Sequence, residues 1–225
     1  YAALAEYHWQ TGADITVAVQ PVRLEDAPRF GILKRSPDGR IADFTEKPKD
    51  LDVQETFISR DDPQRPLLGS MGIYLFKTSL LVELLNKYPD YDDFGAEVIP
   101  LAIETHQVYG FDYDGFWEDI GTIRSFYDTN LKLTDPEPPF DFYDANRPIY
   151  THARFLPGSL VDGSQLTDVL IAEGCRIRKA EIVNSVIGLR SVIAAGTKIQ
   201  DSILMGADYY DIDRHKYQLP IGIGA

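Results

Sequence analysis

The chain has 225 residues, 44% of them apolar, enough for one large domain or two modest ones around a real core. Its formal net charge of −13 excludes a nucleic-acid partner and docking on anionic membrane, which both demand a basic surface, but leaves room for a small phosphorylated ligand held by a few local cations. The one cysteine, Cys175, excludes an intrachain disulfide and fits a reducing compartment.

From the start of the chain, residues 2–10 carry helix formers and stop at Thr11-Gly12, a glycine end signal. Residues 14–20 (DITVAVQ) are rich in β-branched side chains and predict a strand. Residues 30–35 and 41–45 predict two strands of a hairpin around the turn Ser36-Pro37-Asp38-Gly39. Residues 51–66 are polar and proline-containing, and read as a loop with a short insertion. An apolar strand follows over 70–76 (SMGIYLF), then a helix over 79–86 with Ser79 as its expected cap. A further helix is expected over 97–104, short strands over 108–113 and 115–118, and a helix over 122–133. Mixed strands and helices place this part in the α/β class, with a sheet buried between helices.

Residues 134–147 (TDPEPPFDFYDANR) hold three prolines and read as a semi-rigid linker. Beyond it the pattern changes. Asp168-Val169-Leu170-Ile171, Asn184-Ser185-Val186-Ile187 and Asp201-Ser202-Ile203-Leu204 recur at steps of 16 and 17 residues. Ile171 and Ile177 are six apart, as are Ile187, Ile193 and Ile199. Six-residue spacing of aliphatics predicts a β-helix, with each hexad forming one short face of a coil. Cys175 falls inside this apolar repeat and reads as core filler. No apolar run is long enough to span a membrane and no signal peptide is visible. The chain starts at Tyr1 without a methionine, inside a predicted helix, and ends at Gly222-Ile223-Gly224-Ala225 without a capping pattern, so it reads as a fragment cut at both ends.

Four stretches have the residue types for chemistry. Glu46-Lys47-Pro48 closes the hairpin's second strand, because Pro48 cannot continue a ladder. Lysine at a strand end neutralises a phosphate, and glutamate accepts hydrogen bonds from sugar hydroxyls. Taken alone, the pair also reads as a solvated ion pair before a turn. Asp119, in Trp117-Glu118-Asp119-Ile120-Gly121-Thr122, suits a Mg²⁺ ion or, equally, a cap for the following helix. Ser70 offers a hydroxyl, and Gly31 and Gly72 allow close approach, though each also fits a plain strand or turn. Histidines and Cys175 form no zinc spacing, and neither a nucleophile elbow nor a glycine-rich phosphate loop is present.

The order of these motifs is more specific than any one of them. Arg29-Phe30-Gly31, Phe44-Thr45-Glu46-Lys47-Pro48-Lys49, Ser70-Met71-Gly72-Ile73-Tyr74, Asp93-Phe94-Gly95-Ala96-Glu97-Val98-Ile99-Pro100 and Phe116-Trp117-Glu118-Asp119-Ile120-Gly121-Thr122 occur in series. Pro148-Ile149-Tyr150-Thr151, Arg154-Phe155-Leu156-Pro157 and Ser185-Val186-Ile187-Gly188-Leu189-Arg190-Ser191 follow them. Over nearly its whole length the chain resembles the glucose-1-phosphate adenylyltransferases, or ADP-glucose pyrophosphorylases. The resemblance implies a partial Rossmann-like nucleotidyltransferase domain over residues 1–133, a linker over 134–155 and a truncated left-handed parallel β-helix over 156–225. It implies transfer of an adenylyl group from ATP to glucose 1-phosphate with Mg²⁺, for glycogen or starch synthesis. It further implies a homotetramer under allosteric control, in the cytoplasm or, in a plant, the plastid. By the same resemblance Gly31, Glu46, Lys47 and Ser70 contact glucose 1-phosphate, Lys47 and Asp119 are catalytic, and Asp119 holds the metal.

Three departures stand out. The family's glycine-rich ATP loop and its first metal aspartate have no counterpart here, so this piece alone is expected to be inactive. Leu156-Pro157-Gly158-Ser159-Leu160 lacks the second proline and the lysine of many relatives, which bears on effector binding. A carboxy-terminal regulatory lysine is also missing. The alternatives are a related nucleotidyltransferase for another sugar phosphate or nucleotide, and a non-catalytic regulatory subunit, against which Lys47 and Asp119 speak. An acyltransferase of β-helix shape is disfavoured, since no histidine lies between Arg154 and Tyr210.

Overall fold

The computed structural model describes residues 1–146 and 148–210. It divides into two compact units, Tyr1–Gly115 and Phe116–Ala225. The unusual chain end at residues 222–225 lies outside the described residues.

In the first unit, helix α1 (Ala2–Thr11) ends at Gly12, whose φ of 63° places it in the left-handed region. Strand β1 (Ile15–Val22) follows, then a 3₁₀ turn (Leu24–Arg29), β2 (Gly31–Arg35) and β3 (Ile41–Glu46). The segment expected to be a loop contains helix α2 (Leu51–Thr56). Asp50 caps it by accepting the Asp52 amide at 2.9 Å, a start signal that the polar composition masked. Next come β4 (Leu67–Phe76), α3 (Thr78–Lys87), a π turn (Phe94–Val98), α4 (Ile99–Thr105) and β5 (Val108–Asp112). Ser79 lies within α3 instead of capping it, and Lys77 at the cap position makes no side-chain cap bond. Residues 115–118 form no strand.

The sheet order is β3-β2-β4-β1-β5, antiparallel except for the parallel pair of β1 and β5. Because side chains alternate along a strand, β1 serves both faces. Ile15, Val17 and Val19 pack with Leu80 and Leu84 of α3 and Ile99 and Ala102 of α4. Thr16, pointing the other way, meets His8 of α1, with 2.7 Å between Oγ1 and Nδ1. The β1–β4 register slips at one place. Val17 pairs with Tyr74 and Val19 with Ser70, so β4 spends four residue steps against two. Gly72, with a φ of 68°, lies inside that bulge.

The second unit opens with helix α5 (Ile123–Lys132), capped by Thr122 in a reciprocal bond pair with Ser125. Before the coils, the Phe140 ring stacks on Phe116 and meets Phe142 edge-on, which organises the proline-containing segment without helix. The repeats then form β6 (Leu160–Asp162), β7 (Gln165–Ile171), β8 (Arg176–Arg178), β9 (Glu181–Ile187), β10 (Val192–Ile193) and β11 (Lys198–Leu204). They stack as two parallel three-stranded sheets, β10-β8-β6 and β11-β9-β7. Ile177, Ile182, Ile187, Ile193 and Ile199 fill the interior with Cys175, whose Sγ donates to Gly188 O at 3.2 Å. Asp168, Asn184 and Asp201 take positive φ at equivalent corners, where a short polar side chain tolerates the left-handed conformation. Asn184 Nδ2 donates to Asp201 Oδ1 at 2.6 Å, linking successive coils. Tyr127 of α5 donates to Asp201 O at 2.6 Å, and Thr134 donates to Asn184 Oδ1 at 2.9 Å. The predicted coils are therefore formed as far as Leu204, and residues 211–225 of the expected β-helix lie outside the described residues.

Burial lowers the His8 imidazole below its ordinary value near 6.5; Lys77 adds to the fall and Asp14 opposes it. The folded unit thus resists protonation of His8, while the unfolded chain accepts a proton near pH 6.5. The stability gained from a neutral His8 is complete above that value and is lost as pH falls toward the depressed folded value. We expect the melting temperature to drop between about pH 7.5 and pH 5.5, and the drop to shrink in His8→Gln. An identical pH slope in the variant would show that His8 does not set it.

Candidate functional site

Gly31 of β2 stands opposite Glu46 of β3 in the hairpin register. This pairing needs glycine. A Cβ at residue 31 would lie 2.5 Å from Phe44 Cζ and 2.9 Å from Glu46 Oε2, so any side chain would displace both. Directly after Glu46, Lys47 adopts a φ of 47°, a left-handed conformation that costs a non-glycine residue about 1–2 kcal/mol. Two bonds hold it there. Lys47 N donates to Phe30 O at 3.0 Å, and the buried Gln54 of α2 donates through Nε2 to Pro48 O at 2.9 Å. Helix α2 thus secures the turn after Glu46-Lys47. The Lys47 ammonium lies 3.0 Å from Glu46 Oε1, with the lysine side chain 59% exposed. Backbone strain concentrated at a charged pair is a common mark of a functional position.

Ser70 and Tyr74 come from β4 across the bulge, their hydroxyl oxygens 3.4 Å apart, while the Gly72 amide donates to Ser70 Oγ at 3.2 Å. Burial pushes the Tyr74 phenol above its ordinary range; the Ser70 hydrogen bond opposes this, and the Glu46 and Asp93 carboxylates add to the rise. Both carboxylates therefore act on Tyr74 at a distance, while its direct contacts are with Ser70 and Phe94. Gly95 closes the group, since a Cβ there would be 3.3 Å from Asp93 Oδ1 and 3.6 Å from Glu46 Oε2. The Tyr74 ring stacks on Phe94, with centroids 6.2 Å apart. Asp93 Oδ1 accepts the Ala96 amide at 2.8 Å, and Glu97 Oε2 accepts the amides of Asp92 and Asp93 at 2.9 and 3.1 Å. The 93–97 loop is therefore rigid where it faces the hairpin.

Gly31, Glu46 and Lys47 are thus adjoining, and Ser70 is joined to Glu46's surroundings through Tyr74. Tyr74, Asp93 and Gly95 were quoted as parts of motifs but carried no role on sequence grounds. What brings them to the hairpin is tertiary packing, which spacing along the chain does not reveal. The arrangement suits a polyol phosphate: carboxylates and hydroxyls for sugar hydroxyls, an aromatic face, and one ammonium for the phosphate.

Asp119 belongs to the second unit. It does not cap α5, a place taken by Thr122; its Oδ1 accepts the Gly121 amide at 3.1 Å. Its neighbour Glu118 pairs with Lys132 at 3.7 Å. Among the described residues no group of three or more His, Cys, Asp or Glu side chains is arranged to hold a metal ion. Asp119 fits Mg²⁺ as a single hard oxygen donor, consistent with an ion that takes one or two carboxylates plus water and substrate phosphates.

Comparison with known proteins places these residues in context. Residues 1–136 match the family model described as nucleotidyl transferase, and residues 154–225 match the GLGC left-handed parallel β-helix domain. The chain is 45% identical to the small subunit of the glucose-1-phosphate adenylyltransferase of Triticum aestivum, described as chloroplastic/amyloplastic. That alignment covers 100% of this chain and 51% of the relative, so the chain spans about half the length of the relative it matches.

Gly31→Ala should cost about 1–3 kcal/mol in denaturant unfolding, as overpacking of a tight site does. Unchanged stability would mean that Phe44 and Glu46 move aside freely and that the Gly31–Glu46 approach is not a constraint.

Proposed function

The chain belongs to the nucleotidyl transferase family, and on that premise we propose that the whole protein transfers an adenylyl group from ATP to glucose 1-phosphate, giving ADP-glucose and pyrophosphate. The observation that carries this reading is the strained Glu46-Lys47 pair opposite Gly31, its turn tied to Phe30 and Gln54. It provides contacts for a sugar and one cation for its phosphate. Gly31, Glu46, Lys47 and Ser70 take glucose 1-phosphate in this proposal, with the sugar's phosphate oxygen as the nucleophile toward the α-phosphorus of ATP.

Lys47 orients the attacking phosphate and neutralises part of its charge. Glu46 fixes the sugar ring through its hydroxyls and steers the Lys47 ammonium. Gly31, buried opposite Glu46, lets the Glu46 carboxylate and the Phe44 ring close over the hairpin end and so shapes the sugar side of the site. Asp119 would hold Mg²⁺, and the bound ion would supply neutralisation of the phosphate charge that develops as pyrophosphate leaves. No covalent protein intermediate is needed.

The ATP-side groups are expected in the part of the whole protein outside this chain, and this segment by itself is not expected to turn over. We keep the domain division at 1–133, 134–155 and 156–225. The whole protein is proposed to be a tetramer, and the wheat relative's description as a small subunit supports a multi-subunit enzyme. The same description as chloroplastic/amyloplastic supports a plastid location if the source is a plant; for any other source the proposal is the cytoplasm. No helix among the described residues is long and apolar enough to cross a membrane.

In the whole protein, Lys47→Ala should raise KM for glucose 1-phosphate by about a hundredfold while changing KM for ATP only slightly, read by steady-state kinetics. Equal effects on both substrates would remove Lys47 from the sugar-phosphate side. Asp119→Asn should lower kcat by at least about a hundredfold and shift the metal-activation curve to higher Mg²⁺ concentration. A near-normal rate with an unshifted curve would exclude Asp119 from metal binding.

A further inference from the structure

The hairpin that carries Glu46 and Lys47 is joined to the sheet by a short ladder. Among the described residues, Ile32 and Leu33 are the ones of β2 in register with β4, opposite Gly69 and Leu68. The candidate site lies at the Gly31–Glu46 end of the hairpin. The turn at residues 36–39 lies at the other end and begins about 17 Å from Gly31 at the rise of a strand. The ladder and the burial of Leu33 and Ile41 hold the middle of the ribbon, and its direction is further set by what fixes the turn end.

Arg35 and Arg40 fix that end. Arg35 is the last residue of β2, yet it reaches β5, which is separated from β2 in the sheet order by β4 and β1. Its Nη1 donates to Asp112 Oδ2 at 2.8 Å, and its Nη2 donates to Asp112 Oδ1 at 3.0 Å and to Gly110 O at 3.1 Å. Gly110 keeps the path clear, because a Cβ there would stand 3.0 Å from that Nη2. Arg60 Nη1 approaches the same carboxylate at 3.8 Å. Arg40 Nη2 donates to His106 O at 3.2 Å, and Arg40 forms an isolated antiparallel bridge with Tyr109. The anchor itself is firm, since Asp112 pairs with Val19 of the buried interior strand β1.

The Arg35 side chain is 20% exposed, and its Nε is buried without a hydrogen-bond partner. An ion pair so placed contributes little net stability, because desolvation and the unpaired Nε offset the attraction. Its planar, two-pronged geometry does fix direction. We propose that Arg35 is a positioning residue: its fork on Asp112 and Gly110 pins the far end of the β2–β3 hairpin and so holds Glu46 and Lys47 in place at the near end. This rests on the sugar-phosphate reading of that pair. Arg35 touches no proposed substrate and acts through the hairpin. A displacement of about 1 Å at the site would cost up to about a hundredfold in rate.

The test uses Arg35→Gln and Arg35→Lys in the whole protein. Hydrogen–deuterium exchange should show faster amide exchange in Arg35→Gln both at residues 109–113 and, at the far end, at residues 44–47, with β1 and β4 still protected. Arg35→Lys should be intermediate, since lysine keeps the charge but not the fork. Unchanged exchange at residues 44–47 would overturn the proposal, whatever the enzyme does. In kinetics, Arg35→Gln should raise KM for glucose 1-phosphate about tenfold with KM for ATP nearly constant, and Arg35→Lys should recover part of the loss. Lower thermal stability with unchanged KM values would reduce Arg35 to a structural ion pair. A wild-type protein that forms no ADP-glucose would sink the functional reading instead, and the exchange result would still decide the role of Arg35.

Discussion

The pairing of β1 with β4 is the constraint on which the first unit depends. β1 is buried along most of its length and binds helices on both faces, so its register cannot slip without turning Ile15, Val17 and Val19 away from their core. β4 is locked to it by pairs from Ile15–Phe76 to Val22–Leu67. The bulge at Gly72 is accommodated within that lock. It reverses no face, because β4 gains two residues and the alternation has a period of two. Ser70 and Tyr74 consequently come close enough for their hydroxyls to meet, instead of standing at ordinary strand spacing. The rigidity of β1 thus reaches the candidate site through a local irregularity in β4.

The other half of the site has a different mechanical character. Glu46 and Lys47 sit on β3, at the end of the strand order, and their hairpin reaches the sheet through Ile32 and Leu33. Their geometry comes from side chains and glycines. Missing side chains at Gly31 and Gly95 let Phe44 and Glu46 close in. Gln54 binds Pro48, and Arg35 and Arg40 bind β5 and the residue before its loop. The hairpin is set by these ties in addition to Leu33 and Ile41 in the core, whereas β1 is set by close packing along most of its length.

What could be read in the sequence follows this division. The isoleucines at 177, 187, 193 and 199 were legible because a coil repeats its inward position at a fixed step, and all four are buried. The hairpin and the 70–76 strand were legible because turn chemistry and alternation are local. Helix α2 was missed because its signal is one aspartate cap on a polar segment whose anchoring residue, Gln54, looks like a surface side chain. Residues 115–118 looked like a strand for their aromatic content, but aromatics there serve ring packing such as Phe116 on Phe140. Gly31, Glu46, Lys47 and Ser70 were named through the family resemblance that the order of the motifs carries. Tyr74 and Asp93 could not be placed beside Glu46, since their nearness is tertiary. Arg35 was invisible for the same reason, its partner Asp112 being 77 residues further along the chain.

The charge balance gives the site its last feature. A protein with a net charge of −13 repels a phosphate at long range, and salt screens that repulsion beyond about 10 Å. Close to the site the sign is set by individual groups. Asp93 and Glu97 are engaged by backbone amides, which stabilise their charge locally and hold it toward the loop. The Lys47 ammonium rests on Glu46 at 3.0 Å, an exposed pair worth at most about 1 kcal/mol. On the proposed sugar-phosphate reading, a doubly charged phosphate competes with Glu46 for that ammonium, which leaves the carboxylate available to sugar hydroxyls. The backbone turn at Lys47, held by Phe30 O, starts the side chain beside Glu46, so on that reading cation and carboxylate come to one point of an otherwise acidic chain.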